Sequence, residues 1–85
     1  MTLFASDGFR PVRADSAREA AEIFANRQAA REYGRTGFCR TMRLDCWTPN
    51  GRSHTFEAFI GRPVPGDRGT TAGRNVWIYV RQVGD

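Results

Sequence analysis

Arg74-Asn75-Val76-Trp77-Ile78-Tyr79-Val80-Arg81, near the end of an 85-residue chain, decides the fold. Strand side chains point alternately to two faces. One face of this stretch carries Val76, Ile78 and Val80, a β-branched row suited to a core. The other carries Trp77, Tyr79 and Arg81, a row suited to gripping a partner. Such a half-apolar strand belongs to an antiparallel sheet covered on one side.

Upstream, residues 38–61 read as a hairpin. Thr48-Pro49-Asn50-Gly51 suits a type I turn followed by a left-handed glycine, giving a three-residue loop with a G1 bulge. Pairing outward sets Cys46 opposite His54, Leu44 opposite Phe56, and Met42 opposite Ala58. On the other face it sets Trp47 opposite Ser53, Asp45 opposite Thr55, and Arg43 opposite Glu57. This register gathers the apolar residues on one side and pairs opposite charges on the other, whereas a slip by one residue sets Asp45 against Phe56. Residues 62–73, with Pro63, Pro65, Gly66, Gly69 and Gly73, read as a loop, because prolines and glycines in that number do not sustain a strand interior. The last strand is then expected over 74–83.

The chain opens with a shorter hairpin, residues 2–5 and 9–13 around Ser6-Asp7-Gly8. Asp-Gly is a type I′ turn signal, and Pro11, lacking an amide donor, places the second arm at a sheet edge or makes it irregular. A helix follows. Ser16-Ala17-Arg18-Glu19 fits the capping box, in which hydroxyl and carboxylate each satisfy an orphan amide. Ala17, Ala20, Ile23 and Phe24 share the face expected to lie on the sheet. Beyond Asn26, Arg27 and Arg31 continue that stripe while Ala29, Ala30 and Tyr33 point elsewhere, so the helix bends there or runs past the core. Gly34 is a natural stop. The expectation is one α+β domain over residues 1–85: an antiparallel sheet of four or five strands with one main helix packed on one face.

All 13 basic residues are arginine, the net charge is +4 and the sequence pI is near 10.0. A GC-rich genome accounts for such a bias, but the planar guanidinium also suits phosphate, carboxylate and aromatic partners. A basic balance favours an acidic surface or a phosphate backbone as partner. No apolar run approaches the about 18 residues needed to span a bilayer, and no basic-then-apolar leader opens the chain, so a cytoplasmic protein without membrane contact is expected. Cys39 and Cys46 lie an odd number of positions apart in one strand. That places them on opposite faces at roughly 23 Å, too far for a disulfide. Reduced thiols fit a cytosolic setting, and the spacing matches no metal site.

With one helix to cover the sheet, Arg43, Trp47, Phe59, Trp77, Tyr79 and Arg81 are expected together on the open face, where large aromatics act as stacking platforms or interface hot spots. The alternatives are that the first hairpin folds over this face or that two copies bury it as a dimer. Arg27, Arg31 and Arg35 recur every four residues and form a second candidate, a row for phosphates or an acidic surface, against which stands a solvated helix end suited to cations. Arg62, Arg68 and Arg74 extend a basic rim. Catalysis has little support. The only histidine, His54, faces Cys46 on the core side and reads as packed, and Asp45 and Glu57 beside Arg43 stay ionised rather than split into acid and base. With no glycine-rich phosphate loop, metal cluster or cofactor motif, the chain reads as a binding protein and not an enzyme.

Ala14-Asp15-Ser16-Ala17-Arg18-Glu19-Ala20-Ala21 as a helix opening, Thr41-Met42-Arg43-Leu44 beginning a meander and Trp77-Ile78-Tyr79 closing it together resemble, in layout, small phage-encoded anti-CRISPR proteins directed against type I systems. The resemblance implies a stoichiometric inhibitor that docks on an RNA-guided surveillance complex, against a CRISPR effector subunit, and stops target DNA from binding. This chain is basic, unlike the acidic members that imitate DNA. Occlusion from a neighbouring acidic surface is therefore expected, with weak nucleic-acid binding of its own as the alternative function.

Overall fold

The computed structural model describes residues 1–66, 69 and 71–84. Its elements are β1 (Thr2–Ala5), β2 (Val12–Ala14), α1 (Ala17–Tyr33), a 3-10 turn (Gly34–Thr36), β3 (Phe38–Trp47), β4 (Ser53–Pro63) and β5 (Thr71–Gly84). The strands form one sheet in the order β2-β1-β5-β4-β3, every pair antiparallel. α1 packs on one face of it, so the fold is the α+β arrangement that the sequence predicts.

β5 is the central strand and behaves as its alternation dictates. Val76, Ile78 and Val80 are 4%, 2% and 2% exposed beneath the helix, while Trp77 and Tyr79 are 49% and 63% exposed on the reverse. β1 and β2 extend the sheet at one edge rather than folding over that reverse face. Asp-Gly does not form the expected type I′ turn. Phe9 N–H donates to Ser6 O at 3.2 Å, and of the two central residues only Gly8 is left-handed, whereas type I′ needs both. β2 accordingly starts at Val12, and the connection carries Phe9 to the helix side, its ring 5.5 Å from that of Phe24.

α1 opens at Ser16 with the serine half of the expected capping box, Glu19 N–H donating to Ser16 Oγ at 3.1 Å. Its buried stripe lies one row over from the expected one: Ala20, Ala21, Phe24, Ala25 and Ala29 are buried, and Ile23 is only partly so. Alanines along the contact let the helix backbone settle close to the sheet, with Phe24 as its one large fully buried side chain. The helix is a single element through Tyr33 and stops at Gly34, whose N–H donates to Ala30 O.

The β4–β5 ladder runs further than expected. Gly61 pairs with Gly73, Arg62 with Ala72 and Pro63 with Thr71, all inside the segment read as a loop. The glycine pair makes this possible. A Cβ on Gly73 would stand 2.1 Å from Ile60 O and 2.8 Å from Phe59 Cζ, so the strands approach closely and the Phe59 ring covers the gap. Arg68 lies outside the described residues.

β3 carries two irregularities that a strict hairpin register misses. Arg43–Glu57 and Leu44–Phe56 pair as expected, but Arg40 pairs with Phe59 on one side, and Cys46 with Thr55 and Trp47 with His54 on the other. Each shift is one extra β3 residue, a β-bulge. The turn is correspondingly longer: Gly51, at φ 69°, donates to Thr48 O at 2.8 Å, and Thr48 N–H donates to Ser53 O. At the first bulge Thr41 takes φ 56°, which for a β-branched residue costs on the order of 1–3 kcal/mol. Thr41→Gly is therefore expected to raise stability by about 1 kcal/mol, read as a higher urea midpoint at unchanged slope. A lower midpoint would mean that the threonine side chain outweighs its strain.

Candidate functional site

The open face of the sheet is built from the odd-numbered positions of β5 and β4 and from the bulged strand β3. β5 supplies Asn75, Trp77, Tyr79 and Arg81, and β4 places Phe59, Glu57, Thr55 and Ser53 directly opposite them. Directly opposed residues share a face, so β3 adds Arg40 beside Phe59, Arg43 beside Glu57 and Cys46 beside Thr55.

Two of the three arginines on this face meet carboxylates. Arg43 Nη2 donates to Glu57 Oε1 at 2.9 Å, and Arg81 Nη1 donates to Asp7 Oδ1 at 3.2 Å. Both pairs are exposed enough for solvent to screen them, so they orient the side chains more than they stabilise the fold. Arg40 is held differently. Its guanidinium lies over Phe38, 4.8 Å from the ring centroid, and 5.8 Å from that of Phe59.

Of the six residues expected on this face, Arg43, Phe59, Trp77, Tyr79 and Arg81 are there. Trp47 is not: the second bulge turns it to the helix side, opposite His54, and puts Cys46 on the open face instead. Trp47 is exposed nonetheless, as is Leu44, which the sequence places in the core. A 17-residue helix spans about 26 Å at 1.5 Å per residue, while the molecule is 46 Å long, so the hairpin end of the sheet extends beyond the helix. The same bulge removes the expected Cys46–His54 pair. The His54 ring packs on Phe56 and its Nε2 lies 3.0 Å from Gly51 O.

The arginine row of α1 is also placed differently. Arg31 Nη2 donates to Gly8 O at 2.7 Å with its guanidinium 4.2 Å from the Phe9 ring centroid, and Arg27 Nη1 donates to Arg10 O at 3.3 Å. These two side chains fasten the β1–β2 connection to the helix. Arg35 sits in the 3-10 turn, off the helical row, and Arg74 lies within β5, ion-paired with Glu32.

Arg40 is the residue that sequence reasoning missed. Uninterrupted alternation would set it on the same row as Met42 and Leu44, facing the core. A charge on an apolar row is itself the signal that a bulge intervenes.

The two thiols are free and differ in surroundings. Cys39 faces the helix opposite Ile60, and burial, with the Glu22 carboxylate adding to it, pushes its thiol above the ordinary range. Cys46 is exposed. Disulfide-exchange labelling at pH 8 is expected to modify Cys46 first, with Cys39 lagging in the folded chain and catching up in denaturant. Equal rates in the folded chain would contradict this placement. Among the described residues no group of three or more His, Cys, Asp or Glu is placed to hold a metal ion, and no helix is long and apolar enough to cross a membrane.

Comparison with family models, with curated proteins and with solved structures gives no match. The site is therefore argued from its own geometry.

Proposed function

We propose that this chain is a small binding protein that docks through the open face of its sheet on an acidic surface of a larger protein assembly. One observation carries this: Trp77 and Tyr79 stand out from β5 while the residues between and beside them are sealed under the helix. Trp, Tyr and Arg dominate interface hot spots, and here Trp77 and Tyr79 lie in one patch with Arg40, Arg43 and Arg81. An aromatic patch of this kind on a small protein marks an interaction site more often than idle surface.

The placement of charge favours a protein partner over a phosphate backbone. Phosphate-tracking surfaces present unpaired cations in a stripe. On this face Arg43 and Arg81 each already meet a carboxylate. In keeping with the resemblance in layout to anti-CRISPR proteins, the assembly is a type I RNA-guided surveillance complex, and docking occludes the path of target DNA. Co-purification with such a complex, followed by a mobility-shift assay of its target DNA, tests this. A stable complex with lost DNA binding supports the proposal; no association with any type I effector and unchanged DNA binding removes it.

The second reading is a nucleic-acid-binding module, favoured by Trp77, Tyr79 and the Arg40–Phe59 stack lying on one face as a platform for bases. It requires Trp fluorescence to be quenched by single-stranded DNA at low salt, with affinity falling steeply as salt rises. Unquenched emission at low salt counts against it.

A further inference from the structure

Arg40 and Arg43 are three positions apart, which in a regular strand puts them on opposite faces. The bulge between them returns both to the open face, and does so through a threonine at φ 56°, the only non-glycine residue with positive φ among those described. Backbone strain at one point in a fold is a pointer to what the strained segment positions. Here it positions two guanidinium groups on the rim of one shallow groove of about 520 Å³, whose other walls include Glu57, Phe59 and Asn75.

We propose that Arg40 and Arg43 form a carboxylate-binding subsite that takes an Asp or Glu side chain of an acidic partner segment. It rests on, and sharpens, the docking role of the open face. The cation–π contacts with Phe38 and Phe59 use none of the Arg40 N–H donors, and its N–H edge has no carboxylate or carbonyl partner among the described residues. That edge is a planar fork matched to the two oxygens of a carboxylate. Arg43 commits Nη2 to Glu57 and retains its other donors. The Asn75 side chain projects into the same groove from β5 and adds an amide. Two arginines against one glutamate leave a single net positive charge, which suits a monoanionic carboxylate better than a dianionic phosphate.

The experiment is a titration of the isotope-labelled full chain, following the arginine side-chain N–H resonances, with a hexaglutamate peptide and, in parallel, inorganic phosphate. The peptide is expected to shift the Arg40 and Arg43 signals saturably while phosphate does not. Arg40→Ala is expected to weaken the apparent affinity at least tenfold, and Arg40→Lys, which keeps the charge but not the planar stacked fork, to behave like the alanine variant. Arg62→Ala, outside the groove, is expected to leave the titration unchanged. Shifts spread evenly over exposed arginines, or phosphate moving the Arg40–Arg43 signals while the peptide does not, would overturn the assignment. The titration needs no surveillance complex. Its failure removes the subsite and leaves docking through Trp77 and Tyr79 standing, whereas failed capture of the complex removes docking with the peptide shifts untouched.

Discussion

Phe24→Ala is expected to lower the urea midpoint of the chain more than any other single truncation of the helix. Phe24 is fully buried and is the one large side chain that α1 drives into the core. The rest of the helix's fully buried contact is Ala20, Ala21, Ala25 and Ala29, with Ala17, Ile23 and Tyr33 packed partly buried beside them, so the backbone already lies close to the sheet. A site walled by alanines on one side and by the paired strands on the other has little means of collapsing, so the cavity term applies nearly in full. The truncation costs about 3–5 kcal/mol. A domain of this size has a total stability on the order of 4–13 kcal/mol, so the loss is a large share of it. Phe9, packed at a tilt against Phe24, loses its partner too, and with it goes part of what seats the β1–β2 connection. Urea unfolding followed by circular dichroism reads the change. A loss below about 1 kcal/mol would show that the helix–sheet contact is not where the stability of the fold resides.

Much of this architecture was legible in the sequence where two independent patterns coincided. β5 could be read because β-branched and aromatic residues alternate from Val76 to Val80. The middle of the β3–β4 hairpin could be read because one register satisfied both the apolar row and the Arg43–Glu57 pair. The bulges were not legible from turn chemistry, since Thr41 occupies a left-handed position without being glycine or asparagine. They displaced Trp47 from the expected face and brought Arg40 onto it. The helix face was blurred for a different reason. Alanine is compatible with either side of a helix, so the sequence points to a stripe through Ile23 and Arg27, one row from the buried one. Arg27 and Arg31 then looked like a partner-facing row. Their actual targets, the carbonyls of Arg10 and Gly8, lie in a connection whose path was set by a turn type that the chain does not adopt. Pro63 and Gly73 point instead to a loop, whereas Gly73 lies opposite Gly61, where the strands approach too closely for a side chain, and the ladder continues through them.

Trp77→Ala with Tyr79→Ala is expected to abolish capture of the surveillance complex while leaving a folded chain. Truncating a hot-spot aromatic costs 2 kcal/mol or more of binding, so the pair amounts to about 4 kcal/mol, roughly a thousandfold in Kd. The cost to the fold is far smaller. Both side chains point away from the core, and what they lose is cross-strand contact with Glu57 and Thr55, about 0.2–1 kcal/mol for each pair. The unfolding midpoint is therefore expected to fall only slightly, and a collapse of capture with the midpoint nearly held assigns the effect to the interface. Arg31→Ala is the useful contrast. It releases the β1–β2 connection from the helix and is expected to lower the midpoint while capture by the folded fraction persists. Wild-type capture by the double variant would mean that the partner is gripped elsewhere, and the exposed Leu44–Trp47 end of the sheet would be the next surface to test. If instead the double variant lost both capture and DNA binding in a mobility-shift assay, salt would separate the two readings. Docking on an acidic protein surface loses its few charge pairs to screening and keeps its aromatic contribution, whereas contact with phosphates weakens in proportion to the number of counterions released.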